Sequence, residues 1–232
     1  LLILLYMDNS RTEILIGKEN LEKVKNAHVT IVGCGGVGGY CAVFLARAGV
    51  EKFTLIDFDK VSPSNLNRQV IAYESTIGRA KVEVLKDMLL AINSEVKVNG
   101  IDARATEDNL PSLIKDTDIV IDAIDSVKDK IALILYCKKH NIYIISAMGA
   151  GNRYDTPNFY LTDIYKTHDD GLAKAIRKKL RENNVNSLDV VTCNSKPQKV
   201  DGVIGSISYY PASSGATIAS VVINKIIKEE IC

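Results

Sequence analysis

Ile31-Val32-Gly33-Cys34-Gly35-Gly36-Val37-Gly38, followed by Leu55-Ile56-Asp57-Phe58-Asp59, is the stretch on which the fold of this chain turns. His28 to Val32 is short, apolar and largely β-branched, so it reads as a buried strand. Gly33, Gly35 and Gly36 let the chain turn sharply and let backbone N–H groups approach a phosphate with no Cβ in the way. Gly38 completes the G-x-G-x-x-G spacing. Val37 to Arg47 then reads as a helix whose orphan N–H groups and positive dipole end face that phosphate. Lys52 to Ile56 is the second strand. Asp57 ends it, about 20 residues past the glycines, where a carboxylate can accept both ribose hydroxyl protons. Taken alone, this unit is more often a nicotinamide or flavin site than an ATP site.

The residues that follow reverse that preference. Ser62-Pro63-Ser64-Asn65-Leu66-Asn67-Arg68-Gln69 is polar, starts with a turn, and brings a guanidinium and several amides toward the phosphate end. Arg68 offers a planar fork for phosphate oxygens. Gly78-Arg79-Ala80-Lys81 precedes an amphipathic helix, Val82 to Asn93, which puts Lys81 near a helix start. Ile119-Val120-Ile121-Asp122-Ala123-Ile124-Asp125-Ser126 is a third apolar strand with two acids at its carboxyl end, the edge at which parallel sheets bind ligands. Asp125 there can hold Mg²⁺ or oppose the phosphates through it. Each residue also has a plain reading: Arg68 as a surface charge, Lys81 as a helix-face charge, and Asp122 or Asp125 as a helix N-cap. Their joint occurrence in this order favours an ATP site.

The set GCGGVGG, LIDFDKVSPSNLNRQ, GRAKVE and DAIDS resembles the ThiF/MoeB/HesA superfamily, bacterial relatives of ubiquitin-activating E1 enzymes that adenylate carboxylates. The resemblance implies an α/β, Rossmann-like doubly wound sheet of the E1-like adenylation fold with a C-terminal, substrate-facing extension. It implies an N-terminal arm and helix over 1–26, an ATP-binding core over 27–150, and a substrate-facing remainder of the same domain over 151–232. It further implies that Gly33, Gly35, Gly36 and Gly38 meet the phosphates and that Asp57 and Asp59 flank the ribose. Ser64, Asn65, Asn67, Arg68 and Lys81 then surround the triphosphate, and Asp125, with Ser126 beside it, supports Mg²⁺ and catalysis. Arg11 matches an N-terminal arginine that the family lends to the partner subunit's ATP, so a homodimer is expected. A bound monovalent cation and a sulfur-transfer partner are further possibilities by resemblance.

The second half points to one branch. Cys34, Cys41, Cys137, Cys193 and Cys232 include no C-x-x-C pair, so no tetrahedral zinc site is encoded, unlike the sulfur-carrier-activating branch. Gly149-Ala150-Gly151-Asn152-Arg153, Leu161-Thr162-Asp163-Ile164-Tyr165-Lys166-Thr167-His168-Asp169-Asp170 and Gly205 to Pro211 resemble the tRNA threonylcarbamoyladenosine dehydratase branch. That resemblance implies ATP-dependent cyclisation of a threonylcarbamoyl side chain in a tRNA anticodon loop, through an acyl-adenylate. Adenylation of the C-terminus of a ubiquitin-like or sulfur-carrier protein is the alternative. Relatives tend to carry Ser-Thr-Glu after the late strand, whereas this chain has Thr192-Cys193-Asn194-Ser195 and no acid there. Val190 stands where some relatives have a cysteine proposed as catalytic, so no thiol nucleophile is assigned and Cys193 is read as a buried structural thiol.

Lys166 and Thr167 either position the substrate carboxylate or make a turn and cap. Leu172 to Arg181 is amphipathic: Leu172, Ala173, Ile176 and Leu180 on one face, Lys174, Arg177, Lys178 and Arg181 on the other. The basic face reads either as a solvated helix surface or as a track for tRNA phosphates. Glu182 can extend the helix, with Asn183 or Asn184 ending it. Twenty-nine basic against 28 acidic residues give a net charge of +1, too little for non-specific nucleic-acid attraction. Leu1 to Tyr6 is apolar but too short to span a bilayer, and a cytoplasmic enzyme with no membrane partner is expected.

Overall fold

Seven strands form one sheet: β1 (His28–Val32), β2 (Lys52–Asp57), β3 (Lys97–Asp102), β4 (Ile119–Asp122), β5 (Tyr143–Ala147), β6 (Phe159–Asp163) and β7 (Asp189–Cys193). The computed structural model describes residues 7–229, so the apolar Leu1 to Tyr6 and Cys232 lie outside the described residues. The helices are α1 (Ser10–Ile16), α2 (Lys18–Asn26), α3 (Gly36–Ala48), α4 (Lys81–Ile92), α5 (Leu110–Leu113), α6 (Val127–Lys139), α7 (Gly171–Glu182) and α8 (Tyr209–Lys228).

The strand order is β3-β2-β1-β4-β5-β7-β6, with every pairing parallel except β6 against β7. Helices cover both faces, which is why the central strands are apolar nearly throughout rather than alternating. Val29, Ile31, Phe53, Leu55, Ile119 and Ile121 pack toward α3, α4 and α8. Val32, Ile56, Val120 and Ile144 face the other way, toward α5, α6 and α7. Val32 lies level with Ile56 on one side and Asp122 on the other. The order of the chain through the sheet reverses between β1 and β4, and ligands of such sheets bind beyond the carboxyl ends at that point.

The helix starting near Leu172 runs from Gly171 to Glu182, and Asn184 beyond it adopts φ +56°. Strand β3 has no counterpart in the sequence reading. Its side chains are mostly exposed, as befits an edge strand, and Lys97-Val98-Asn99-Gly100 lacks the apolar run that marks a buried one.

Asp122 differs from both readings open to it. It is fully buried and ion-paired with the equally buried Lys130, 2.9 Å away. Ser146 Oγ donates to the same carboxylate at 2.6 Å, and the Ile124 N–H donates at 3.1 Å. Lys130 Nζ also donates to the carbonyl oxygen of Ile124 at 3.0 Å. Neither acid caps α6, whose N-cap is Ser126. The buried pair instead fixes the turn that carries Asp125. Removing one partner of such a pair strands a charge in a low-dielectric interior. Lys130→Met is expected to lower unfolding free energy by about 3–5 kcal/mol, read from urea denaturation.

Candidate functional site

A cavity of about 650 Å³ opens at the carboxyl ends of β1, β2 and β4. Its phosphate end is backbone. Gly33 has φ +96°, and a Cβ there would sit 2.6 Å from the Ala123 carbonyl oxygen. A Cβ on Gly38 would sit 1.9 Å from the Gly33 oxygen. No side chain fits either place, so the loop lies flat against β4 and α3 begins close under it. Gly33, Gly35, Gly36 and Val37 therefore line the cavity at the start of a 13-residue helix, an arrangement suited to phosphate oxygens.

Asp57 sits at the tip of β2. One carboxylate oxygen accepts the Cys34 N–H at 2.6 Å, and the other accepts the Asp59 N–H at 2.8 Å. Burial pushes its carboxyl above the usual range, opposed by the nearby Lys81 ammonium and these two N–H groups. Lys81, the first residue of α4, is buried, and its Nζ lies 2.7 Å from Asp59. Arg68 borders the same space, its Nη1 donating to the Ser64 carbonyl at 2.7 Å and to Asn67 Oδ1 at 2.9 Å. Gln69 beside it is buried, and its Oε1 has no hydrogen-bond donor. That orphaned acceptor, with Lys81 and Arg68, fits a site completed by a polar ligand.

Phe58, Ala103, Ala105 and Ile124 give the cavity an apolar part of its wall. The Arg104 guanidinium lies 5.5 Å over the Phe58 ring and is held by Asp129 through two nitrogens, at 2.9 and 2.7 Å. A flat aromatic base fits between such walls. Gln69, Phe58 and the Arg104–Asp129 pair were not singled out from the sequence. Gln69 and Phe58 stand inside the quoted motifs, but Arg104 and Asp129 carry no local signal, because the sheet brings them together.

The remaining expected residues fall into four groups. Asp125 is exposed and borders the cavity. No cluster of three or more metal-ligating side chains occurs among the described residues, so a cation there would need phosphate oxygens as further ligands. Ser64, Asn65, Asn67 and Ser126 do not line the cavity. Asn65 Oδ1 accepts the Ser62 N–H at 3.1 Å and shapes the turn that delivers Arg68, while Asn67 Nδ2 donates to the Ser206 carbonyl at 3.0 Å. Arg11 is exposed on α1, away from the cavity of its own subunit.

Lys166, Thr167 and Arg177 do not line this cavity. Thr167 is buried, its hydroxyl donating to the Ile164 carbonyl at 2.7 Å, and Arg177 Nη1 donates to the Thr167 carbonyl at 2.9 Å. Lys166 is exposed in the turn Ile164–Lys166. Of the basic face of α7, Lys179 pairs with Glu182 at 2.8 Å and Arg181 lies 5.4 Å over the Tyr165 ring. Lys174 and Lys178 on the same face are exposed. Cys193 is buried, as expected, and burial raises its thiol pKa as it does those of Cys34 and Cys41.

A glycine cradle at a sheet switch point, a buried acid on the next strand and two cations at the phosphate end define a nucleotide-binding protein with a Rossmann-type sheet. Residues 9–229 match the ThiF family model, and the chain belongs to that family. It is 43% identical over 177 residues to the tRNA threonylcarbamoyladenosine dehydratase of Bacillus subtilis, across 76% of this chain and 70% of that one. It is 38% identical over 210 residues to the Escherichia coli protein of the same name, across 90% and 77%. The crystal structure of the E. coli dehydratase TcdA in complex with ATP matches with a TM-score of 0.90 and 33% identity, covering 95% of this chain and 94% of that one.

Raised thiol pKa values and burial make the cysteines unreactive in the folded state. Iodoacetamide at pH 8 is expected to leave Cys34, Cys41, Cys137 and Cys193 unmodified in the native protein and to label all four in urea. Peptide mass mapping reads the difference, and fast native labelling of any of the four would show an accessible thiol.

Proposed function

We propose that this protein is an ATP-dependent tRNA threonylcarbamoyladenosine dehydratase, which closes the threonylcarbamoyl side chain of a tRNA anticodon-loop adenosine into a ring with net loss of water. The observation that carries the reading is one cavity with a phosphate cradle at one end and no cysteine in its lining, continuous with the Gly149–Gly151 wall of the second half. Similarity to dehydratases over most of the chain supports the substrate.

The substrate side chain ends in a carboxylate, whose oxygen is a poor leaving group. Attack of that carboxylate on the α-phosphate of ATP gives an acyl-adenylate and pyrophosphate. Arg68, Lys81 and the amides at the start of α3 stabilise the charge gathering on the phosphates. Asp125 would be the residue that holds Mg²⁺, which would supply further neutralisation of the phosphate charge. Asp57 anchors the ribose. The activated carbonyl is then attacked by a nucleophilic atom of the same side chain, and AMP departs. Because both reacting groups belong to one side chain, orientation alone accelerates this step, and no enzyme thiol is needed. The modified base must be unstacked to reach the cavity.

The same reading makes the active unit a homodimer in which Arg11 serves the partner's ATP. In support, α1 buries none of its residues, and Ile14 and Leu15 on it are 82% and 83% exposed, an apolar face suited to a second subunit.

Incubation with Mg-ATP and tRNA carrying threonylcarbamoyladenosine, followed by digestion and mass analysis, is expected to give a nucleoside lighter by one water. Omission of ATP, or Arg68→Ala, abolishes it. An unchanged nucleoside with ATP still bound would redirect the site to a protein C-terminus. Arg11→Ala and Lys81→Ala are each expected to lose most activity. Mixed and allowed to exchange subunits, they should recover about a quarter of wild-type activity, since half the dimers then hold one intact site. No recovery would place Arg11 outside the partner's site.

A further inference from the structure

A second cleft, of about 480 Å³, lies beside the first turns of α7 and is bordered by Asp169, Gly171, Lys174, Arg177 and Lys196. Lys174 and Lys196 come from separate segments, both exposed, and neither ammonium has a hydrogen-bond or ion-pair partner among the described residues. Arg177 reaches the same cleft, but its guanidinium is engaged with the Thr167 carbonyl. Two acids also border the cleft. Asp170 is buried, with one oxygen accepting the Ala173 N–H and the other accepting the Gly149 N–H, both at 2.9 Å. Asp169 is exposed and lies 3.3 Å from His168. Two ammonium groups facing one cleft repel each other until an anion joins them.

The cleft is fixed in register with the nucleotide cavity. Gly149, held by Asp170, lines the main cavity, as does Leu172, whereas Gly171 and Lys174 line the cleft. The two spaces thus share the first turn of α7. A nucleotide whose base enters the main cavity therefore brings its adjoining backbone to the cleft. Resting on the dehydratase reading above, we infer that Lys174 and Lys196 form a phosphodiester subsite for the RNA strand flanking the modified adenosine. Ammonium groups act there as mobile point charges, suited to a backbone whose bases differ from one RNA to the next.

The test uses an anticodon stem-loop RNA carrying threonylcarbamoyladenosine, with affinity measured across a salt series. Lys174→Ala/Lys196→Ala is expected to weaken RNA binding about tenfold and to flatten the slope of log Kd against log salt by about 1.4, the share of two single-strand phosphate contacts. Binding of ATP and of pyrophosphate is expected to hold, which separates an RNA phosphodiester from the phosphates of the nucleotide. Lys174→Arg/Lys196→Arg should restore the slope. Lys86→Ala/Lys97→Ala removes the same charge from α4 and edge strand β3 and should leave the slope at the wild-type value. An unaltered slope in Lys174→Ala/Lys196→Ala, or an equal loss in the α4/β3 control, overturns the subsite. Failure of the dehydratase reading looks different: the wild-type protein then yields no lighter nucleoside with Mg-ATP, whatever the slopes, and the subsite falls with it.

Discussion

The carboxylate of Asp57 joins the two strands on which the nucleotide site is built. Its two oxygens accept the backbone N–H of Cys34, in the glycine loop after β1, and of Asp59, just past β2. At Gly33 and Gly38 the loop has no space for side chains that could hold it. A glycine loop left to its own conformational freedom loses the alignment of its amides. Asp57 restores that alignment from outside. The cost is a charge placed where water is scarce, visible as a carboxyl pKa raised by burial. Lys81 compensates from the start of α4 without bonding Asp57 directly, since its ammonium reaches Asp59. The residues expected to meet a ligand are thus also those that keep the cradle in shape.

The same economy governs the β4 edge. Asp122 and Lys130 carry opposite charges in full burial, and Ser146 and the Ile124 N–H and carbonyl are drawn into satisfying them. A hydrophobic pair of similar size would be no less stable in principle. The ion pair does something a hydrophobic pair would not. Lys130 donates to the Ile124 carbonyl, so the backbone immediately before Asp125 takes one path. Asp125 itself remains exposed and makes no such commitment.

The sequence revealed what depends on neighbouring residues and hid what depends on topology. Strand β1, the glycine loop, Asp57 and the start of α4 are local patterns of period, turn and spacing, and they were legible to within a residue or two. Lys81, Arg68 and Asp125 were legible because each follows a recognisable element, and all three border the cavity. Arg104 and Asp129 lie far apart in the chain and meet over Phe58 only after β3 and α6 take their places. Strand β3 itself is an exposed edge, and an edge needs no apolar run. The amphipathic pattern of α7 was read correctly, but its charges were not equivalent. Three of them, Arg177, Lys179 and Arg181, are engaged within the fold, and periodicity cannot reveal that.

Arg153 shows how the walls from the second half differ from those of the glycine loop. It is 5% exposed, yet each of its hydrogen bonds goes to a backbone carbonyl: Ser195 at 2.9 Å, Gly149 at 2.7 Å, Gly151 and Asp169 at 3.3 Å. Those carbonyls belong to three segments with no regular structure, which together wall the second half of the cavity and the cleft beside it. Asn152 adds a second clasp, its Oδ1 accepting the Gly205 N–H at 2.6 Å. Where the glycine-loop side is shaped by strands and a helix start, the second-half side is loops gathered around one buried guanidinium. Loops tolerate sequence change more readily than a sheet does. A family that keeps one way of activating carboxylates while changing the molecule that bears them would place its variation on such a side. The same logic explains why the nucleotide motifs of this chain point only to the superfamily, while its second half points to a branch.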